Sequence, residues 1–154
     1  MRVERQIEML GLSLPKPPKP LGNYVGAIQI GDLLFISGQL PMEDGQLLHV
    51  GQVGAELTEQ DGYEAARLVA LNVLAQIKLA LGGFDRLARL VRLDGHVASA
   101  PGWHDAPKVL DGASDLFLRA LGARGKHTRA AFTPLRLPNN AAVELVIIAA
   151  VEPR

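Results

Sequence analysis

The chain has 154 residues, 48% of them hydrophobic, enough for one domain with a real core and too few for two. Sixteen basic residues balance sixteen acidic ones, so no net field draws the protein to nucleic acid or to an anionic membrane surface. There is no cysteine, which excludes disulfides, thiolate metal sites and a cysteine nucleophile while leaving the redox compartment open.

Residues 3–10 have the pattern of a short amphipathic helix. Glu4 and Glu8 break any apolar run of the kind a secretory signal needs and argue against a transit peptide, so the expected location is the cytoplasm. Pro15, Pro17, Pro18 and Pro20 then impose an extended, polyproline-like arm. This divides the chain into a helix and arm over residues 1–20 and a single domain over residues 21–154. Residues 24–30 and 33–37 read as two strands, with Gly31-Asp32 as a two-residue hairpin turn. Residues 38–54, with their glycines, Pro41 and Asp44-Gly45, read as loop holding one short strand around residues 47–50.

Thr58 followed by Asp61 marks the start of the main helix, which runs to Leu81 before Gly82-Gly83 stops it. Its apolar residues spread beyond one stripe, so it is expected to be covered on more than one side. A strand follows over residues 90–99, with Gly95 as a bulge candidate and Pro101-Gly102 as its end. Asp105 is placed to cap a second helix, with Pro107 in its first turn and Gly122 closing it. Val109, Ala113, Leu116, Phe117 and Ala120 fall on one face, and Asp115 and Arg119 are spaced to pair on the wet one.

The expected order is β-β-α-β-α-β-β, an α+β fold with a mixed sheet of five or six strands and two helices on one face. Residues 143–151 are apolar on both alternations, which reads as a strand buried on both sides. Two helices cover only one sheet face, so other subunits are expected to cover the second, in a closed symmetric homo-oligomer. The apolar run 145–151 is far shorter than the roughly 20 residues that span a bilayer, and no membrane association is expected.

Within the longer, otherwise apolar run 141–151, Glu144 needs a partner. A hairpin folded at residues 137–140 would bring Arg129 and Glu144 to one region of the sheet, suited to binding a small carboxylate beside an acid–base group. The bare residues favour a buried structural pair over catalysis. Ser37 beside Gly38 is a turn residue rather than a nucleophile, as no His/Asp partner has triad spacing. His49, His96, His104 and His127 lack the spacing of a zinc site, so no metal is expected. Trp103 reads as a packing anchor, Gly51-Gln52-Val53-Gly54 lacks the lysine of a phosphate loop, and Arg86, Arg89 and Arg92 read as a solvated basic face.

Leu21-Gly22-Asn23-Tyr24, the loop Ile36-Ser37-Gly38-Gln39-Leu40-Pro41, and the spacing Arg129-(x)7-Leu137-Pro138-(x)5-Glu144 together resemble the YjgF/RidA (Rid) family, also called the endoribonuclease L-PSP family. The resemblance covers about residues 21–152. It implies a chorismate-mutase-like subunit and a homotrimer with a barrel-like core and clefts between adjacent subunits. It further implies hydrolysis of enamine or imine intermediates such as 2-aminoacrylate to 2-keto acids and ammonia, with no metal or organic cofactor. Arg129 would be the carboxylate clamp, because a guanidinium fork holds a planar carboxylate bidentately. Glu144 would be the proton shuttle, Tyr24 and Ser37 would line the cleft, and the backbone near Ala131 would meet the imine nitrogen. Asp111 aligns with a cleft asparagine of the family, and Ala130-Ala131 stand where members acting on 2-aminoacrylate often carry Ser-Cys. The N-terminal extension and the longer loop over residues 41–58 resemble a longer branch of the family. A non-catalytic carboxylate-binding or regulatory trimer is the alternative, and an endoribonuclease a third.

Overall fold

In the computed structural model, which describes residues 2–154, the main helix α2 (Glu59–Leu81) begins where its capping signal predicts. The Thr58 hydroxyl accepts from the Asp61 amide at 3.0 Å, and the Asp61 carboxylate accepts from the Thr58 amide at 2.8 Å. Both interactions satisfy amides that a helix start leaves without partners. Gly82, in the left-handed region at φ 73°, ends the helix. The second long helix, α3 (Ala106–Leu121), packs its apolar face against α2, so α2 is covered by α3 on one side and by the sheet on another. Gly112 makes the helix–helix contact close, since a side chain there would strike the Tyr63 carbonyl of α2. The N-terminal helix α1 (Val3–Met9) buries Val3 and Ile7 against the same core, and Glu4 pairs with Lys78 at 3.4 Å.

Five strands form the mixed sheet: β1 (Ala27–Ile30), β2 (Leu33–Gln39), β5 (Leu87–Val97), β6 (Thr128–Phe132) and β7 (Val143–Val151), in the order β1-β2-β7-β5-β6. All neighbours are antiparallel except β5 and β6. β1 and β2 form the expected hairpin around Gly31-Asp32. A small separate hairpin, β3 (Met42–Glu43) and β4 (Gln46–Leu47), turns at Asp44-Gly45. The expected strand at residues 47–50 is therefore two shorter strands, because Asp44 and Gly45 both take positive φ and reverse the chain.

The fold is the expected α+β arrangement with its long helices on one face of the sheet. Leu34, Ile36, Leu90, Leu93, Leu145 and Ile147 form the face beneath them, and full burial of each such side chain is worth about 1.5–3 kcal/mol. The other face carries Ile28, Phe35, Val146 and Ile148, and β7 alternates strictly between buried and half-buried residues. Within one chain β7 is buried on one face only. No helix among the described residues is long and apolar enough to cross a membrane.

Four local expectations are corrected. β6 and β7 are not a hairpin: β6 runs parallel to β5, and β5 lies between them. The bulges of β5 fall between Leu87 and Arg89 and between Leu90 and Arg92, whereas Gly95 stays in register and gives room to the Leu110 side chain. Asp105 precedes α3 without a side-chain cap, its ψ of 31° lying outside the extended backbone that capping requires. Asp115 accepts from the Tyr63 hydroxyl at 2.7 Å, so α3 is tied to α2 there rather than to its own Arg119.

Candidate functional site

At the end of the sheet where β2 stops and β7 begins lies a cavity of about 540 Å3. The N-terminal arm forms one wall through Lys16, Pro18 and Lys19, with Tyr24 beyond it. Ser37, Gly38 and Gln39 of β2, Gln76 of α2 and Glu144 of β7 also line it, and the β3–β4 hairpin contributes Met42 and Asp44.

Sequence explains how these groups meet. β2 loses register against β7 between Ile36 and Gln39, and this irregularity brings Ser37 and Gly38 to the cavity. The Ser37 amide donates to the Gly26 carbonyl at 2.9 Å and its hydroxyl to the Val25 carbonyl at 2.6 Å, which pins the strand end. At Gly38 the backbone lies against Glu144: a Cβ there would stand 2.7 Å from the carboxylate Oε2 and 2.9 Å from Cδ. Only glycine leaves that carboxylate its place.

Glu144 is half-buried, and among the described residues its carboxylate has no hydrogen-bond or ion-pair partner. Burial raises its pKa above the ordinary glutamate value, with the facing His96 drawing it back in part. His96 sits opposite on β5, its Nδ1 3.4 Å from the Glu144 carbonyl oxygen, and its ring stacks on Phe132 at 5.0 Å. A carboxyl group with a raised pKa, open to a cavity, is equipped to give and take a proton.

The remaining wall is held by two polar residues of α2. Gln76 Nε2 donates to the Pro18 carbonyl at 2.8 Å and to Gln39 Oε1 at 3.3 Å, fastening the arm to the body. Asn72, one turn earlier, donates from Nδ2 to the carbonyls of Leu40 and Met42, each at 2.9 Å, and holds the chain between β2 and β3. Sequence reasoning missed both, and Lys16, Lys19 and Asp44 with them. A signal existed: two amides four residues apart in an otherwise apolar helix interior stand on one side of it.

Arg129 lies elsewhere. It pairs with Leu93, whose side chain faces the helices, whereas Glu144 pairs with His96 on the open face two strands away. Its Nη1 donates to Asp111 Oδ1 at 2.9 Å and to Ser114 Oγ at 3.0 Å, and its Nη2 to the Pro107 carbonyl at 3.3 Å. Ser114 Oγ is in turn 2.9 Å from His127 Nε2. Ala131, two residues along the exposed edge strand β6, shares the Arg129 face. The structure thus brings Tyr24, Ser37 and Glu144 together at the cavity and gathers Arg129, Asp111 and Ala131 at α3 and β6. One chain does not unite the two groups. Among the described residues no group of three or more His, Asp or Glu is placed to hold a metal ion.

A mixed sheet backed by two long helices, with a half-buried glutamate at the bulged end of a strand, defines a chorismate-mutase-like α+β protein. The family model described as "YjgF/chorismate_mutase-like, putative endoribonuclease" matches residues 4–151, and the chain belongs to that family. It is 42% identical to Protein TCP17 of Trypanosoma cruzi over 145 residues, 94% of this chain and 91% of that one. Among solved structures it is similar to a protein of unknown function from Agrobacterium tumefaciens, at 39% identity and a TM-score of 0.91, covering 98% of this chain and 92% of that one. A protein from Shewanella oneidensis described as a putative endoribonuclease is similar at 38% identity and a TM-score of 0.94, covering 97% and 99%. These relatives span the arm as well as the sheet and helices, so the whole chain, and not only its core, has the family architecture.

Proposed function

We infer that the protein is a hydrolase of reactive 2-imino acids, releasing 2-keto acids and ammonia at sites shared between subunits of a homotrimer. The observation that carries this is Glu144, an unpartnered carboxyl group with a raised pKa on the wall of a cavity able to hold a small organic acid. In the reaction Glu144 takes a proton from water as the water oxygen adds to the imine carbon, and returns it to the nitrogen. Collapse of the resulting carbinolamine forms the carbonyl and expels ammonia. Tyr24 and Ser37 border the path of that water. Arg129 supports the substrate carboxylate from the neighbouring subunit, since its own chain holds it on the opposite face of the sheet. The apolar open face, with Phe35 and Ile28 exposed, supplies the surface on which subunits would close.

Imines generated in situ by an amino-acid oxidase test the reading. The wild-type protein accelerates ammonia release, while Glu144→Gln and Arg129→Ala each lower the rate by about two orders of magnitude, the usual worth of a positioned acid–base group or charge clamp. Release no faster than in buffer sinks it. A second reading, a carboxylate-binding protein without turnover, is favoured by one observation: both terminal nitrogens of Arg129 are already engaged by α3. Binding of a keto acid with no acceleration would select it. Ribonuclease action has less support, as Arg86, Arg89 and Arg92 each donate to a partner within the chain.

A further inference from the structure

The arm is an addition to the sheet and helices, yet it forms a wall of the cavity, and it is tied down at both ends. Val3 and Ile7 sink α1 into the core, and the Gln76 amide holds the Pro18 carbonyl at 2.8 Å. Four prolines within six residues, at 15, 17, 18 and 20, leave the arm around the Pro18 anchor little freedom to move. It is a fixed wall rather than a flap.

That wall carries Lys16 and Lys19, both exposed at the cavity and neither ion-paired among the described residues. The lining also holds two acids, Asp44 and Glu144. Glu144 is half-buried, whereas Lys16, Lys19 and Asp44 are exposed, so two lysines stand against one carboxylate on the rim. The volume, about 540 Å3, lies in the range of cavities that take drug-sized ligands and far exceeds what a three-carbon imino acid fills. Pro17, Pro20, Leu40 and Met42 line the same cavity, a surface suited to methylene groups.

We propose that Lys16 and Lys19 form a second anion-binding point at the cavity rim, and that the preferred ligand is a 2-imino or 2-keto acid bearing a distal carboxylate. This rests on the deaminase reading of the same cavity and names its substrate class. The reacting carbon sits by Glu144, the methylene chain crosses the apolar lining, and the far carboxylate meets the arm. Because the lysines are exposed, their attraction weakens with salt.

Calorimetric titration of the full chain at low ionic strength compares 2-oxoglutarate with 2-oxopentanoate, which has the same carbon chain without the distal carboxylate. The wild-type protein binds 2-oxoglutarate about tenfold more tightly, the worth of one charge-assisted hydrogen bond. The Lys16→Met/Lys19→Met double variant erases that preference, and Lys16→Arg/Lys19→Arg restores it. Equal affinity for the two acids in the wild type overturns the proposal, as does an equal loss for both in the methionine variant, or binding of neither. Stable keto acids need no turnover, so a dicarboxylate preference without imine hydrolysis would remove the deaminase reading alone, whereas hydrolysis without the preference would remove this one alone.

Discussion

Glu144 shows how one residue's surroundings decide its chemistry. The Gly38 backbone leaves it space, burial removes water, and no donor compensates, so its pKa is raised in the folded protein. The sign for stability follows from linkage. A carboxyl whose pKa is raised on folding contributes stability at acid pH, below its unfolded value, and that contribution is lost as pH rises through the raised one. Glu144→Gln is therefore expected to melt at the wild-type temperature in acid and at a higher temperature once the pH has risen past the raised glutamate value, in thermal scans across pH. A lower melting temperature of the variant at that higher pH would mean that the ionised carboxylate is stabilised by contacts, and the acid–base argument would fail. Arg129 illustrates the opposite setting: its charge is satisfied by Asp111, Ser114 and a carbonyl, leaving an ordered fork whose direction is set by α3.

At the level of elements, the pairing of α2 with α3 positions both halves of the candidate site. α2 carries Gln76 to the cavity and Asn72 to the carbonyls of Leu40 and Met42 beside it, and α3 carries Asp111 and Ser114 to Arg129. Gly112 permits their contact, because any side chain there meets the Tyr63 carbonyl, a backbone atom that cannot swing away. Gly112→Ala is expected to cost about 1–3 kcal/mol of unfolding free energy in urea titration, the range for an overpacked core. Unchanged stability would show that the helices separate without penalty and that their spacing does not hold the site. The Thr58–Asp61 capping box of α2, the glycine ends of both helices and the β1–β2 hairpin are legible in the residues, since each depends on neighbours a few positions apart. The pairing of Asp115 with Tyr63 in place of Arg119 is not, because it depends on which helix lies alongside.

For the whole molecule the sheet poses the question. One face is sealed by helices, and the other presents Phe35 at 39%, Leu33 at 40% and Ile28 at 53% exposure, an apolar surface that a lone subunit in water would leave wet. Sedimentation is expected to find a species of three subunits in the wild type and single folded subunits in Phe35→Glu, with helical circular dichroism retained. A wild-type protein that sediments as one subunit would remove both the trimer and the shared site, since Arg129 and Glu144 would then have no route to one another.

Local sequence determined the helices, the β1–β2 hairpin, the arm and the α+β order, because capping, turn chemistry and apolar period act over short separations. It also marked Glu144, since a carboxylate in an apolar run is conspicuous without coordinates. Only the tertiary structure decided that β5 separates β6 from β7, that Arg129 and Glu144 stand on opposite faces, and that the arm closes a cavity with Lys16 and Lys19 at its rim. Strand order and wall composition depend on contacts between residues far apart in the chain, and no local pattern encodes which distant segments will meet.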